Sequence, residues 1–426
     1  MLIAAAACAP AGGAPTPDRS PLGVLRHSID SLVEDPKFAN AQIGLLVVNP
    51  KTGDTLYSRN AGKLFMPASN QKLLTGSVAL AQLGPDYRYR TVIGTRGTMR
   101  DTTLNGDLLV IGRGDPTMSD RVYGSALKQL GIVADSIQAR GILHVTGALR
   151  QSGNAFPDSI YGYGWEWDDI GGESGAPVDE LEFNEGMVQR AARVDGRDTV
   201  VSVATRTPAY VYLSSLYLNL AQRGVKIDNL VDLDVDTLST PIDTLYAFDS
   251  PPLSEILKYF FKPSQNQIGE ALLKTIGLER TGVGTADNGA EIVGEQLRKW
   301  GADSTGFVVY DGSGLSRHDL VSPETIIKVL VAMQNDTVFY NALPIAGVDG
   351  TIRNRMKGTP AESNVHAKTG SIEFVRSLSG YVNDADGDRL VFSFLSNHFT
   401  TPASDITRVQ DAVGALLAGY KSKLSQ

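Results

Sequence analysis

The hydrophobic positions near the start of the chain follow first a helical and then a strand period. Apolar residues at 22, 25, 29, 32 and 33 have helical spacing and predict an amphipathic helix that ends before Pro36. Residues 42–48 and 55–58 have strand character, and the loop between them contains the Pro, Gly and Asn of a hairpin turn. The pattern therefore predicts a helix followed by two paired strands.

The middle of the chain, from about residue 87 to residue 244, has short β-rich runs separated by Gly, Asp and Thr. The clearest runs are residues 106–112, 141–149 and 199–205. A length of 426 residues is too great for one hydrophobic core and predicts roughly two to three lobes. We therefore expect residues 91–244 to be an insertion that forms β-rich lobes of its own.

Helical periodicity returns after this insertion. The predicted helices cover residues 267–276, 286–300, 322–334 and 406–420. The string Ser322-Pro323 is typical of a helix N-terminus, with serine as the N-cap and proline in the first turn. Residues 378–382 and 390–396 flank a turn and predict a second hairpin. We expect residues 22–90 and 245–426 to form a single domain around the insertion.

The composition is that of a globular protein and argues against several classes of function. No run of about 18 apolar residues is present to span a bilayer. The formal net charge of −8, without a block of Lys and Arg, argues against a nucleic-acid partner. The chain has 1 cysteine and 5 histidines, and none of them has the spacing of a metal site. We therefore expect neither a metal nor a cofactor.

Cys8 follows an apolar run that ends in small residues, as lipidated cysteines do at the end of a bacterial lipoprotein signal. The basic residues that begin such a signal are missing here. The run is therefore either a truncated signal with a lipid anchor at Cys8 or an Ala-rich leader. Residues 9–21, rich in Pro, Gly and Ala, predict a flexible tether. Residues 1–21 are thus expected to be a leader and tether.

The first string with catalytic potential is Ser69-Asn70-Gln71-Lys72, which opens an apolar helical stretch. The hydroxyl of Ser69 is expected near the positive end of the helix, where developing negative charge is favoured. Lys72 lies one turn later on the same face. Its amine, kept neutral by desolvation or by a second cation, is predicted to take the proton of a Ser69 nucleophile. A serine N-cap with a solvated lysine is the alternative interpretation.

The second string is Ser264-Gln265-Asn266, roughly 195 residues after Ser69. In an extended loop, side chains two residues apart point to the same side, so Ser264 and Asn266 are expected to flank one cleft. We predict that Ser264 relays a proton to a leaving amine and that Asn266 holds a substrate amide and Lys72. The alternative is a helix start, because an apolar pattern begins at Gln267.

The third string, Lys368-Thr369-Gly370-Ser371, lies in a predicted strand. Lys368 is predicted to supply positive charge for a substrate carboxylate and to help keep the first lysine neutral, and Thr369 to hydrogen-bond that carboxylate. Gly370 lets a ligand approach the backbone closely. The backbone N–H groups of Ser371 and Ser69 are predicted to form an oxyanion hole. A hairpin turn is the alternative interpretation.

The three strings in this order resemble the active-site motifs of penicillin-binding proteins and serine β-lactamases. The long insertion between the first two is similar to that of the class C low-molecular-mass D-alanyl-D-alanine carboxypeptidases, the penicillin-binding protein 4 type of peptidase family S13. Further strings that fit this family are Phe65-Met66-Pro67-Ala68-Ser69, Gly112-Arg113-Gly114-Asp115-Pro116-Thr117, Gly164-Trp165-Glu166-Trp167-Asp168 and Asp311-Gly312-Ser313-Gly314-Leu315-Ser316-Arg317.

This resemblance implies an α/β (α+β) transpeptidase-like domain, with an antiparallel sheet flanked by helices and a β-rich insertion. It implies removal of terminal D-alanine from peptidoglycan stem peptides, endopeptidase cleavage of cross-links, and covalent inhibition by β-lactam antibiotics. Such a substrate implies a periplasmic or other extracytoplasmic location. Asp115, Trp165, Trp167 and the side chains of residues 311–317 are given no catalytic role.

Two alternative functions stay open from the sequence. A class A-like β-lactamase deacylates through a glutamate in an E-x-x-x-N loop placed after the S-x-N string. The string Glu180-Leu181-Glu182-Phe183-Asn184 matches, but it lies before Ser264, so we interpret it as coincidence. A non-catalytic scaffold is the other alternative. The intact Lys72 and Lys368 argue against it, because two apposed cations cost stability unless function uses them.

Overall fold

The structure is a computed structural model, and it describes residues 18–229, 231–236 and 241–422. The helices of the described residues are α1 (Pro21–Val33), α2 (Gln71–Leu83), α3 (Asp120–Tyr123), α4 (Ala126–Gln138), α5 (Pro208–Gln222), α6 (Leu253–Phe261), α7 (Asn266–Thr281), α8 (Ala286–Lys299), α9 (Pro323–Met333), α10 (Thr337–Ala342) and α11 (Ala403–Gly419). The strands are β1 (Gln42–Asn49), β2 (Asp54–Arg59), β3 (Arg90–Arg100), β4 (Thr103–Ile111), β5 (His144–Val145), β6 (Leu149–Ser152), β7 (Met187–Val194), β8 (Arg197–Ala204), β9 (Lys226–Ile227), β10 (Asp232–Asp236), β11 (Asp243–Asp249), β12 (Phe307–Val308), β13 (Leu320–Val321), β14 (His366–Ile372), β15 (Val375–Asn383) and β16 (Arg389–Asn397).

The two ends of the chain meet in one antiparallel sheet with the strand order β14-β15-β16-β1-β2. Its central strands are buried on both faces because both faces are covered by helices. In β1, Leu45 and Val47 join a core with α1 and α11, whereas Leu46 joins a core with α2 and α9. The predicted class, an antiparallel sheet flanked by helices, is confirmed.

A second sheet is built from the middle of the chain, with the strand order β10-β6-β4-β3-β11; β5 pairs with β4, and β9 pairs with β5. Helices α4 and α5 pack on it and form a separate hydrophobic core. Strands β7 and β8 pair with each other as a two-stranded ribbon. The division of the chain into one domain of residues 22–90 and 245–426 and inserted lobes of residues 91–244 stays a prediction, and the second sheet itself extends from Arg90 in β3 to Asp249 in β11.

Most of the elements predicted from periodicity are confirmed. The early helix is α1, the two hairpins are β1–β2 and β15–β16, and the four later helices are α7, α8, α9 and α11. Ser322 is the N-cap of α9, and its hydroxyl accepts from the backbone N–H of Thr325. The expectation of short strands throughout the insertion is wrong for α4 and α5, and also for most of residues 141–149.

In the residues that the structure describes, no helix has the length and apolar character needed to cross a membrane. The predicted lipid-anchor residue, Cys8, lies outside the described residues, as do the other residues of the leader up to residue 17. The described part begins just before α1, whose N-cap is Ser20. The hydroxyl of Ser20 accepts from the backbone N–H of Gly23, as an N-cap serine does.

Candidate active site

All three sequence strings contribute residues to one cleft with a volume of about 380 Å³. The residues that line it from these strings are Ser69, Ser264, Gln265, Asn266, Thr369 and Ser371. The side chains of Lys72 and Lys368 are buried beside them, each with 0% of its surface exposed. The fold therefore brings together residues that lie far apart in the chain, as the sequence analysis predicts.

Ser69 lies in a short 3₁₀ turn, Ala68–Asn70, that leads directly into α2. The residue before it, Ala68, has a left-handed backbone with φ of 46°, a conformation that costs free energy for a residue other than glycine. The side-chain amide of Asn70 donates to the carbonyl of Lys368 at 2.8 Å and so ties the turn to β14. These contacts fix the position of the Ser69 hydroxyl at the start of the helix.

The Lys72 Nζ atom lies 3.0 Å from Ser69 Oγ and donates to Asn266 Oδ1 at 2.6 Å and to the Ser313 carbonyl at 2.7 Å. Complete burial lowers the pKa of Lys72 from its usual value to about 7, because a charged amine loses its hydration inside the protein. The alternative of a solvated lysine is excluded by this burial. Lys72 thus has both the position and the protonation state of a general base.

Ser264 and Asn266 differ from the expected extended loop. Asn266 is the first residue of α7, Gln265 is its N-cap, and Ser264 has a left-handed backbone with φ of 68°. The extended prediction is wrong because the apolar pattern from Gln267 onward starts a helix at the motif itself. The two side chains nevertheless reach one cleft, and each contacts a different lysine.

The side-chain amine of Lys368 contacts the second string rather than the first. Its Nζ atom donates to Ser264 Oγ at 2.7 Å and to the Thr369 carbonyl at 2.8 Å. Burial, with a smaller contribution from the charge of Lys72, lowers the pKa of Lys368 well below its usual value. The lowered pKa of Lys72 comes from its own burial, so the expected help from Lys368 is not needed to keep Lys72 neutral.

Gly370 is enclosed at the point where β14 passes the Ser69 turn. A side chain at this position would place its Cβ atom 2.0 Å from Ser377 Oγ, 2.6 Å from the Pro67 carbonyl and 3.0 Å from the backbone N of Ser69. Only glycine fits this approach. Ser371 follows on the exposed rim of the cleft, and its pairing with Ser69 in an oxyanion hole stays a prediction.

Similarity to known proteins identifies the family of this chain. The sequence matches the D-Ala-D-Ala carboxypeptidase 3 (S13) family over residues 25–196 and 191–420. The chain belongs to this family. It is 32% identical over 470 residues to a D-alanyl-D-alanine carboxypeptidase of Actinomadura sp., and the match covers 93% of this chain and 85% of that protein. The prediction of a serine carboxypeptidase of the penicillin-binding protein 4 type is therefore confirmed.

Solved structures of related proteins agree on the fold. Penicillin-binding protein 4 of Haemophilus influenzae superposes with a TM-score of 0.82 at 22% identity, covering 92% of this chain and 99% of that one. A predatory endopeptidase of Bdellovibrio bacteriovorus, solved as the penicillin G-acylated form with an immunity protein, has a TM-score of 0.55 at 18% identity. That match covers 88% of this chain and 91% of the endopeptidase.

Three buried carboxyl groups lie close to Lys72 in this family member: Glu270 of α7 and, in the loop after β12, Asp311 and Asp319. All three raise the pKa of Lys72 and so partly oppose the effect of its burial. Burial in turn raises the pKa of Glu270 and raises that of Asp319 well above its usual value. The carboxyl groups therefore limit how far the pKa of Lys72 falls.

The loop of residues 311–316 belongs to one of the strings that fit the family, but its contact with Lys72 through the Ser313 carbonyl was not predicted. The Asp311 carboxylate accepts from the backbone N–H groups of Ser313, Gly314 and Ser316 and, at 2.9 Å, from Trp165 Nε1. This arrangement turns the Ser313 carbonyl toward Lys72. An aspartate followed by small residues predicts such a turn. Which backbone carbonyl accepts from Lys72 cannot be predicted from residue type, because every residue has one.

The insertion also contributes residues to the cleft, namely Arg121, Glu173 and Ser174. Glu180, the glutamate of the E-x-x-x-N string, is not among the lining residues. Its carboxylate is buried and accepts from Gln151 Nε2 and from the backbone N–H of Phe156. This position agrees with the interpretation of the string as coincidence.

Proposed function

We propose that this carboxypeptidase removes the terminal D-alanine of peptidoglycan stem peptides through an acyl-enzyme on Ser69. The observation that carries the proposal is the joint geometry of Ser69, Lys72 and Asn266 on one side of the cleft and of Ser264 and Lys368 on the other. Family membership supports the choice of a D-alanyl-D-alanine substrate.

Acylation starts when Ser69 Oγ attacks the carbonyl carbon of the penultimate D-alanine. The Ser69 proton passes to the neutral amine of Lys72, 3.0 Å away. Negative charge then develops on the carbonyl oxygen, and the backbone N–H groups of Ser69 and Ser371 are proposed to stabilise it. Placement of Ser69 just before α2 adds the favourable field of a helix N-terminus.

The leaving nitrogen of D-alanine needs a proton as the C–N bond breaks. The Ser264 hydroxyl is the proposed donor, and it regains a proton from the Lys368 ammonium, whose Nζ lies 2.7 Å from Ser264 Oγ. Water then attacks the Ser69 ester, and the bond from the acyl carbon to Oγ breaks as the Lys72 ammonium returns its proton to Oγ. The proton released by the water restores the Lys368 ammonium. The products are D-alanine and the shortened stem peptide.

The terminal carboxylate of the substrate is proposed to bind at Lys368 and Thr369. The pKa of Lys368 lies well below its usual value because the amine is buried. A carboxylate placed opposite this amine favours its ammonium form, so substrate binding raises the pKa of Lys368 and supplies the proton for Ser264. Binding of this carboxylate accounts for the proposed cleavage at the terminal D-alanine.

Endopeptidase cleavage of D-alanyl cross-links is a proposed second activity of the same site. The cleft is open to solvent at Ser371 and Ser174, so a bulkier leaving group than D-alanine has room to extend. Penicillins are proposed to acylate Ser69 as well, and the penicillin G-acylated endopeptidase among the structural relatives supports this choice of inhibitor.

An extracytoplasmic location follows from the proposed substrate, because peptidoglycan lies outside the cytoplasmic membrane. A lipid anchor at Cys8 stays a proposal that rests on the leader sequence alone. The mass of the N-terminal peptide from the native protein tests it, since a lipidated cysteine adds acyl chains to that peptide.

The proposed activity is tested by incubating purified cell-wall fragments with the protein and identifying the products by mass. The proposal expects free D-alanine and cleaved cross-links, and neither with Ser69→Ala. Free D-alanine alone would restrict the activity to carboxypeptidase. If the wild-type protein releases neither product, the proposal is wrong.

A further inference from the structure

The insertion supplies a short strap that reaches the start of α7. The strap consists of residues 173–176, and its backbone carbonyls accept three hydrogen bonds from α7. Asn266 Nδ2 donates to the Ser174 carbonyl at 2.9 Å. Gln267 Nε2 donates to the carbonyl of Glu173 at 2.9 Å and to that of Ala176 at 3.1 Å. A hydrogen bond to the inserted region thus holds the side chain of Asn266, a residue of the second string.

The Ser174 carbonyl determines which end of the Asn266 amide faces the catalytic lysine. An amide has an acceptor oxygen on one side and donor hydrogens on the other. A carbonyl on one side of the Asn266 amide requires the NH₂ group there, and this leaves Oδ1 to accept from Lys72 Nζ at 2.6 Å. Without the strap, the amide is free to rotate and to present its donor side to Lys72.

Gln267 is the residue that keeps the strap in place. Its side chain is 2% exposed, and both hydrogens of its amide are used by the strap. Its oxygen accepts from the side-chain amide of Gln265, the N-cap of α7. The first half of the strap, Glu173 and Ser174, is exposed, and the second half, Gly175 and Ala176, is buried. The chain therefore passes from the surface into the interior at this contact.

We infer that Gln267 is a positioning residue for the acylation step: through the strap of residues 173–176 it orients the Asn266 amide toward Lys72. This inference rests on the proposed function and extends it, because it makes the inserted region part of the catalytic apparatus. Gln267 also borders the cleft. Its amide hydrogen bonds go to the strap and not to Ser69 or Lys72.

The expected effect of losing Gln267 includes a change in pH dependence. Asn266 Oδ1 stabilises the ammonium form of Lys72 by accepting its hydrogen bond. When that acceptor is lost, the charged form is disfavoured and the pKa of Lys72 falls. The acid limb of the acylation rate should therefore move to lower pH, while the maximal rate decreases because the lysine is no longer held in place.

The test compares Gln267→Met with a matched control, Gln138→Met. Gln138, at the end of α4 and outside the cleft, also donates its amide to a backbone carbonyl, that of Arg223 at 2.6 Å. The second-order rate constant for acylation by a penicillin is measured across pH for both variants, together with the thermal midpoint. We expect Gln267→Met to acylate about 10- to 100-fold more slowly, with the acid limb at lower pH, and Gln138→Met to behave as wild type.

An unchanged rate in folded Gln267→Met would overturn the inference, and so would a slower rate with an unmoved acid limb, since the strap would then be structural only. If Gln267→Met does not fold, Ser174→Gly decides. It keeps the strap carbonyls but increases backbone freedom, which weakens the hydrogen bond from Asn266 Nδ2 to the carbonyl of residue 174. We expect a several-fold slower acylation with a smaller shift of the acid limb in the same direction, and no change overturns the inference. A wild-type protein that no penicillin acylates contradicts the proposed function instead.

Discussion

The Nζ atom of Lys72 lies 3.0 Å from the Oγ atom of Ser69, one helical turn along the chain. Lysine side chains are flexible, but this one is held by two further acceptors, Asn266 Oδ1 and the Ser313 carbonyl. Because burial lowers its pKa to about 7, a large share of the amine is neutral near neutral pH. The position and the charge state of Lys72 therefore both support its proposed role, deprotonation of Ser69.

The rate of acylation is predicted to depend on the protonation of Lys72. A base must be neutral to accept a proton, so activity should be present above the pKa of Lys72, about 7, and should be lost as pH falls through it. Below that point we expect the rate constant to decrease about tenfold per pH unit. Penicillin acylation measured from about pH 5 to about pH 9 checks this. A flat profile over that range would contradict a lysine base.

Lys72→Arg provides the matched control for the pH experiment. Arginine keeps a positive charge at every accessible pH, so it cannot act as a base. We expect acylation of this variant to be lost at all pH values, with no recovery at alkaline pH. Recovery of the rate above pH 7 in Lys72→Arg would assign the titration to another group.

Ser264 is predicted to combine a catalytic hydroxyl with a strained backbone. Removing the hydroxyl in Ser264→Ala should slow peptide turnover by about 10²- to 10⁴-fold, the usual contribution of a general acid. Ser264→Gly removes the same hydroxyl but suits the left-handed φ of 68°. We therefore expect Ser264→Gly to be as inactive as Ser264→Ala but more stable by about 1 kcal/mol.

Two measurements check the Ser264 pair: release of D-alanine from a model peptide, and the free energy of unfolding in urea. Equal stability of the two variants would mean that the left-handed backbone carries no strain. If both variants keep wild-type turnover, Ser264 does not donate the proton to the leaving amine, whatever the stability of the variants.

Gly370→Ala is predicted to disturb the nucleophile. The new methyl group would collide with Ser377 Oγ and with the Pro67 carbonyl, so β14 and the Ser69 turn must separate. A displacement of about 1 Å at a catalytic group is enough to cost about 10²-fold in rate. Gly62→Ala is a suitable control, because its Cβ atom would be 3.6 Å from the nearest atom, on Glu324. Penicillin acylation rates of the two variants, if equal, would contradict this role of Gly370.

Asp311 is predicted to be important for stability as well as for activity. Asp311→Asn replaces one acceptor oxygen by a donor in a place where three backbone N–H groups and Trp165 Nε1 converge. We expect a loss of about 1–3 kcal/mol for each buried donor left without a partner, together with slower acylation. Trp165→Phe removes only one of these hydrogen bonds and should cost about 1 kcal/mol. Urea unfolding compares the two, and an Asp311→Asn variant as stable as Trp165→Phe would contradict the argument.

Much of the catalytic domain could be predicted from sequence because its elements carry strong local signals. Helices α7, α8 and α9 have clear apolar periodicity, and the two hairpins are marked by Pro, Gly, Asn and Asp in their loops. The three motif strings led to the cleft because each combines unusual chemistry with a fixed spacing. Helix α4 was missed although Leu130, Val133, Ala134 and Ile137 are all buried at helical spacing.

The remaining parts of the site could not be predicted because they depend on backbone atoms and on long-range contacts. The Ser313 and Ser174 carbonyls act through groups that every residue has. The left-handed backbone of Ser264 replaces the extended loop that we expected over residues 264–266. Serine rarely adopts this conformation, so the sequence does not indicate it. The effect of burial on the pKa of Lys72 likewise depends on neighbours from two distant segments, α7 and the loop of residues 311–319.

The central claim, that Ser69 is the nucleophile of a penicillin-sensitive acyl transfer, is tested most directly by mass spectrometry of the protein after reaction with benzylpenicillin. We predict one covalent adduct on wild type, located on the peptide that contains Ser69, and none on a folded Ser69→Ala variant. An adduct on a different serine, or one that persists in Ser69→Ala, would contradict the account.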